Sequence, residues 1–178
     1  MYGRYIMLSV LLGTTCLISA QARTIKLQAI DCVTQGNREY CVSKDNYRAL
    51  DGKIAVQQPN GDLGSICEFR KGYRNGESLF YDAQGHIMSR ISFKDGIQEG
   101  VTVYNHQNGK IWISAPYTKG LLHGFVDVYN SAGKVRGKFK YDRGKLKWGY
   151  CKSGGGKVRY PNTTSRVEFN QIVTCGSK

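Results

Sequence analysis

The chain has 178 residues and carries 26 Lys and Arg residues against 13 Asp and Glu residues, a formal net charge of +13. This length is enough for one domain with one modest core. The excess of positive charge favours an acidic protein or an anionic surface as the partner. The content of 22 Gly and only 3 Pro residues indicates many turns and excludes a proline-rich linker.

Residues 1–22 are predicted to be a cleavable signal peptide. Arg4 precedes an apolar run over residues 6–20, and small residues at Ala20 and Ala22 form the A-x-A cleavage site. The run is too short to span a bilayer comfortably, and no second apolar stretch follows it. We therefore expect a periplasmic or secreted mature chain, cleaved after Ala22, without a transmembrane segment.

The alternative to cleavage is a lipoprotein anchored through Cys16. Residues 13–15 before that cysteine make a poor lipobox, which favours the cleaved form. Nucleic acid is the usual partner of a strongly basic chain, but an exported location argues against it.

Five cysteines remain once the predicted signal peptide is removed, as expected in an oxidising compartment. Cys32 and Cys41 flank a short polar loop, so they are one candidate disulfide. Cys151 and Cys175 flank a glycine-rich turn and the last predicted strand, so they are the second. Cys67 is left over. The sequence has no short-spaced cluster of Cys and His, and we expect no metal site.

A repeat of 24 residues is the strongest pattern in the chain. Three glycine series and one aromatic series share this period: Gly52, Gly76, Gly100 and Gly124; Gly61, Gly85, Gly109 and Gly133; Gly72, Gly96, Gly120 and Gly144; and Phe69, Phe93, Tyr117 and Tyr141. Four interlocked series at one period indicate a true structural repeat over residues 52–150.

Each repeat is predicted to contain two strands and two turns. In the middle unit a tight turn at residues 93–96 precedes a strand at 100–104, and a second turn at 105–109 precedes a strand at 110–117. The longer turn has Asn early and Gly at its end, which suits a type I turn closed by a left-handed glycine with a G1 bulge. The predicted fold class is all-β, an elongated antiparallel β-meander of hairpin repeats with disulfide-stapled end caps.

Caps are expected at both ends, because exposed strand edges of such a sheet invite aggregation. We place an N-terminal cap at residues 23–51, with residues 25–29 as its edge-covering strand. A C-terminal cap hairpin is placed at residues 151–178, with residues 167–173 as its last strand. Both candidate disulfides lie in these caps.

Alternation along the second strand of each unit assigns the two faces of the sheet. The predicted core stripe is Leu63, Ser65, Cys67, Phe69, Ile87, Ser89, Ile91, Phe93, Ile111, Ile113, Ala115, Tyr117, Val135, Gly137, Phe139 and Tyr141. The opposite face is basic and forms the candidate partner-binding surface: His86, Met88, Arg90, Lys110, Trp112, Lys134, Arg136, Lys138 and Lys140. The alternative is a solvated sheet face with Trp112 packed under a cap.

The repeats resemble a known family. Residues 69–81, 93–104 and 117–129 share an aromatic residue, the spacing x-Gly-x-x-x-Gly and a following Tyr. In these features they are similar to the MORN-variant repeats of the bacterial YwqK-like family, over about residues 52–150. The resemblance implies an antitoxin component or an immunity protein against toxins delivered into the bacterial envelope. MORN repeats elsewhere are associated with membrane lipids and protein scaffolding.

No catalytic motif is recognisable in the sequence. His86, His106 and His123 occupy repeat positions whose residue type varies, which is typical of solvated turn residues. The glycine run at residues 153–157 lacks the strand–helix context of a phosphate-binding loop. We expect a non-enzymatic protein without a cofactor.

Two functional classes fit these features. The first is a periplasmic immunity or antitoxin-type protein that neutralises an envelope-acting toxin with an acidic surface by direct contact. The second is an envelope-associated scaffold that binds anionic lipid or cell-wall polymer. One stoichiometric protein partner distinguishes the first class from the weak, salt-sensitive binding of the second.

Overall fold

Fifteen β-strands form one open sheet in the part of the chain that the computed structural model describes, residues 22–36, 38–153, 156–160 and 175. The strands are β1 (Arg23–Lys26), β2 (Ile30–Gln35), β3 (Arg38–Ser43), β4 (Gly52–Gln57), β5 (Leu63–Arg70), β6 (Tyr73–Tyr81), β7 (Ile87–Lys94), β8 (Ile97–Gln98), β9 (Gly100–Asn105), β10 (Ile111–Thr118), β11 (Leu121–Leu122), β12 (Gly124–Tyr129), β13 (Val135–Asp142), β14 (Lys145–Ser153) and β15 (Gly156–Tyr160). A 3-10 turn at Leu27–Ala29 lies between β1 and β2.

The sheet is a meander in which sequence neighbours pair. The order is β1-β4-β5-β6-β7-β9-β10-β12-β13-β14-β15, with the β2–β3 hairpin attached through β3 to β6. The predicted fold class is confirmed, since the sheet is elongated and its pairs from β4 onward are antiparallel. One detail differs: β1 pairs with β4 in parallel, and residues 27–29 leave the strand as the 3-10 turn.

The two turn types of the repeat differ in backbone conformation. The tight turns place two successive residues at positive φ, as at Lys119 (52°) and Gly120 (78°), which is the pattern of a type I′ hairpin turn. The longer turns each end on a positive-φ glycine such as Gly109 (77°), and the register shifts by one residue just beyond it. The predicted G1 bulge is therefore present.

Hydrogen bonds between tight turns lock successive repeats together. The N–H of each turn glycine donates to a carbonyl of the preceding repeat: Gly72 to Leu50, Gly96 to Arg74, Gly120 to Gln98 and Gly144 to Leu122. Acidic side chains reinforce two of these turns, because Asp51 accepts from the N–H of Lys71 and Glu99 from that of Lys119. Each repeat adds one such contact between tight turns, so the contacts recur every 24 residues.

The hydrophobic core is divided into two clusters. One lies in the C-terminal repeats and is built around Ile113, Val126, Phe139 and Tyr141. The other joins the N-terminal cap to the first repeat through Leu50, Ile54, Cys67 and Phe69. Side chains of the strands between them are buried but polar: Ser78, Ser89 and Thr102. In the predicted stripe, the apolar residues between the two clusters, Ile87, Ile91 and Phe93, are only half-buried.

Cys67 is buried, as its strand parity predicts, and its thiol is free. Its sulfur accepts a hydrogen bond of 2.8 Å from the Arg74 guanidinium, which also pairs with Glu39 of β3 at 3.0 Å. The same guanidinium lies 5.5 Å from the Phe69 ring centroid and 5.7 Å from that of Phe93. Arg74 therefore fastens the N-terminal hairpin to the sheet through charge and aromatic contacts.

The bulges overturn part of the predicted face assignment. Ile111 and Val135, predicted to be core, are 45% and 36% exposed. Trp112, predicted on the opposite face, packs against the C-terminal core cluster instead. The register advances by two residues between Ile111 and Ile113 for one residue on β9, so Trp112 is the extra residue of a bulge. Because the extra residue interrupts the alternation, strand parity assigns residues 111 and 112 to the wrong faces of the sheet.

Both predicted disulfides are present, Cys32–Cys41 across the β2–β3 hairpin and Cys151–Cys175 beside β14. They indicate an oxidising environment outside the cytoplasm. The predicted signal peptide at residues 1–22, except residue 22 itself, and the strand predicted at residues 167–173 lie outside the described residues. Among the residues described, no helix is long and apolar enough to cross a membrane.

Tyr141 gives a prediction about alkaline stability. Its side chain is 1% exposed, its hydroxyl has no hydrogen-bond partner among the described residues, and burial raises its pKa from 10.0 to about 12. The folded state therefore favours the neutral hydroxyl, a contribution that is complete below pH 10 and is lost as the pH rises towards 12. We expect Tyr141→Phe to raise the free energy of unfolding by about 1 kcal/mol at pH 7 and to extend stability to higher pH.

Urea unfolding at pH 7 and pH 11 measures both effects. Tyr47→Phe, at a side chain that is 80% exposed, is the matched control and should leave both values unchanged. Destabilisation by Tyr141→Phe at pH 7 would contradict the account, because it would mean that the hydroxyl makes a stabilising bond.

Candidate functional site

A cluster of exposed aromatic and half-buried lysine side chains lies on the outer face of the last repeats. We call it the aromatic–lysine patch and define it as Phe125, Lys138, Lys140 and Trp148. The pairing of β12, β13 and β14 sets it up, because Phe125 lies opposite Lys140 and Lys140 lies opposite Trp148. Their neighbours Val126 and Phe139 are buried in the core and Gly149 packs against the Phe139 ring, so strand alternation turns the patch outward.

The patch is held together by ring and charge contacts. The ammonium groups of Lys138 and Lys140 lie 4.8 Å and 4.3 Å from the Phe125 ring centroid. Trp148 meets the same ring edge-to-face at a centroid distance of 5.9 Å. Both aromatic side chains are nevertheless 44% exposed. Such contacts pre-organise large side chains in solvent, which lowers the entropy cost of docking on a partner.

The net charge of the patch is positive. Lys138 is compensated by Asp127, whose carboxylate lies 3.2 Å from its ammonium. Lys140 has no carboxylate within ion-pair distance among the described residues. Val101 on β9 is 51% exposed and pairs with the half-buried Pro116 of β10, the strand next to β12. This combination suits a partner surface that offers an apolar pocket beside carboxylates.

Sequence reasoning found the two lysines of the patch and missed its two aromatics. The predicted faces follow from alternation along the second strand of each repeat. Phe125 lies on a first strand, and Trp148 lies on the strand after the last full repeat. The signal was nevertheless there, since Phe125 alternates with Val126 and Val128. Alternation along the first strand therefore also predicts that Phe125 lies on the outer face.

A cavity, separate from the patch, lies at the longer-turn ends of the two middle hairpins. Three predicted site residues, His86, Met88 and Trp112, line a cavity of about 360 Å³ there together with Tyr104 and His106. The bulges bring them together, because Met88 and Trp112 are the extra residues at the same position of successive repeats. The rings of His106 and Trp112 lie 5.8 Å apart. Burial raises the pKa of Tyr104.

The remaining predicted residues belong to neither feature. Arg90 lies on the outer face of β7 and pairs with Glu77 at 3.6 Å. Lys110 and Lys134 are exposed beside longer turns, where the Lys110 ammonium approaches the Ala132 carbonyl at 3.4 Å. Arg136 is half-buried beside Gly137, over which the Cys175 sulfur packs. The nine predicted residues therefore do not form one surface.

The histidines serve the turns. His86 lies 3.4 Å from the Asp82 carboxylate, and the backbone hydrogen bond from His86 is the main cause of the lowered pKa of Asp82. His123 approaches Asp142 at 3.4 Å, and His106 contacts the Tyr129 carbonyl at 3.0 Å. Among the described residues, the one cluster with metal-ligand spacing is Cys32, Glu39 and Cys41, and its sulfurs are joined in the disulfide.

No protein-family model and no curated protein matches the chain. The fold, the aromatic–lysine patch and the cavity therefore define the class of this protein. It is a disulfide-stapled, all-β repeat protein that presents an aromatic–lysine patch on one face of its sheet and a separate cavity at the turn ends.

Proposed function

We propose that the chain is an exported, non-enzymatic binding protein of the immunity or antitoxin type. It neutralises an envelope-acting toxin by direct protein–protein contact, with the toxin presenting an acidic surface. The aromatic–lysine patch is the observation that carries this proposal. Exposed Trp and Phe side chains that contact each other are typical of the centre of a protein interface, and the two lysines suit its polar rim.

Three further observations support the proposal. The two disulfides suit a periplasmic or secreted location, as does the predicted signal peptide at residues 1–22. Each of the three histidines contacts a carboxylate or a backbone carbonyl near a turn, which is the bonding of structural histidines. The resemblance to MORN-variant repeats of the YwqK-like family points to the same class.

The test is inhibition of a captured partner. The mature chain is expressed in the periplasm of its own host and purified at physiological salt, and retained proteins are identified by mass spectrometry. We expect one enzyme at one-to-one stoichiometry whose activity the chain inhibits. A retained enzyme whose activity is unaffected by the chain would overturn the immunity role.

The second candidate is an envelope scaffold that binds anionic lipid or cell-wall polymer. The excess charge of Lys140 beside exposed aromatics favours it, since such side chains also suit a headgroup region. It predicts sedimentation with vesicles containing anionic phospholipid, lost on raising the salt concentration. Vesicle binding without any stoichiometric protein partner would establish this candidate over the first.

A further inference from the structure

The cavity at the turn ends is chemically unlike the aromatic–lysine patch. One part of its wall is apolar or aromatic, formed by Ile87, Met88, Tyr104 and Trp112. The rest of the lining includes uncharged hydrogen-bonding side chains: Gln84, Ser89, Asn105 and Gln107. An aromatic platform beside amide groups offers stacking area together with both donors and acceptors. The cavity volume of about 360 Å³ lies in the range of small-ligand sites.

The charges around the cavity argue against a charged ligand. Asp82 already accepts hydrogen bonds from the N–H groups of Gln84 at 3.0 Å and His86 at 2.8 Å. Its second oxygen lies 3.4 Å from the His86 ring. A cation would compete with these donors, and an anion would be repelled by the carboxylate. An uncharged ligand meets neither obstacle.

His106 adds an acceptor to the site. Its Nε2 contacts the Tyr129 carbonyl at 3.0 Å, and because a carbonyl only accepts, Nε2 carries the proton. In the tautomer with the proton on Nε2, Nδ1 is an acceptor, and the ring lies 5.8 Å from that of Trp112. The Asn105 amide nitrogen donates to the Ile87 carbonyl, and the amide oxygen of Asn105 is a further acceptor.

We propose that this cavity binds an uncharged sugar ring, with Trp112 and Tyr104 against the apolar face of the ring and the amide side chains on its hydroxyl groups. A pyranose has the required combination, because its axial C–H groups form an apolar face and its edge carries donors and acceptors. The proposal does not rest on the partner-binding role of the aromatic–lysine patch, which lies on the outer face of other strands.

The test uses tryptophan fluorescence. The chain has two tryptophans, so Trp148→Phe leaves Trp112 as the single reporter. Maltotriose, cellotriose and triacetylchitotriose are titrated into this protein at pH 7. We expect a saturable change with at least one of them and a Kd on the order of 1 mM, as for a ligand of this size. No saturation with any of the three sugars would overturn the proposal.

Two variants in the same background separate binding from folding. Gln84→Ala with Gln107→Ala removes two exposed amides and should weaken binding by about tenfold without a change in Tm. Ser131→Ala, at the repeat position equivalent to Gln107 in the next unit, is the matched control and should bind as before. Equal binding by the double variant and the control would contradict the site. Saturation by tetramethylammonium or acetate in place of the sugars would also overturn it.

Discussion

The double variant Phe125→Ala, Trp148→Ala is expected to bind the protein partner at least 100-fold more weakly than the wild type. Hot-spot aromatics each contribute about 2 kcal/mol or more to an interface, and these two rings contact each other, so their effects are not additive. A combined loss of about 3 kcal/mol corresponds to a factor of more than 100 in Kd. Titration calorimetry with the captured partner measures the change.

The control for this variant is Tyr47→Asn, which removes an exposed aromatic from the N-terminal cap. Tyr47 is 80% exposed and has a φ of 53°, a conformation that Asn tolerates. It should bind the partner as the wild type does. If the double variant bound within about threefold of the wild type, the patch would be an ordinary solvated surface.

Phe139→Ala is expected to lower the free energy of unfolding by about 3–5 kcal/mol. The ring is 1% exposed and fills space left by two glycines, since a Cβ at Gly149 would overlap it and a Cβ at Gly137 would lie 3.1 Å from it. No neighbouring strand can close this gap without disturbing the pairing of β13 with β14. Urea unfolding monitored by circular dichroism gives the value.

Phe125→Ala is the internal control for this second variant, because it truncates the same residue type on the opposite face of the adjoining strand. Its stability cost should be below about 1 kcal/mol, since Phe125 is 44% exposed. The two phenylalanines thus separate folding from binding. Equal destabilisation by both variants would show that the outer face is part of the packed core.

Glycine and aromatic spacing was sufficient to predict the repeat and its turns. A positive-φ glycine is needed wherever a type I′ or bulged turn closes, so the sequence signals these points directly. The disulfides were predictable for a similar reason, because Cys32 and Cys41 flank one hairpin loop. The parallel pairing of β1 with β4 was not, since no local pattern in four residues fixes strand direction.

Face assignment failed where the backbone departs from strict alternation. The bulge at Trp112 exchanges the sides of two residues, and nothing in the residue types at 111 and 112 distinguishes the two arrangements. The sequence indicates the division of the core only in part, because Ser89 follows the alternation of the stripe just as its apolar neighbours do. The burial of Ser89 and of Thr102 is a property of the folded sheet that sequence periodicity does not report.

The contact of the patch with a single protein partner is the central claim, and one measurement tests it directly. Wild-type chain and the Phe125→Ala, Trp148→Ala variant are recovered from the host periplasm at physiological and at raised salt, and retained proteins are quantified by mass spectrometry. We predict one enzyme at one-to-one stoichiometry on the wild type at both salt concentrations, and its loss from the variant. Equal retention by both proteins, or recovery of lipid and cell-wall fragments alone, would contradict the account.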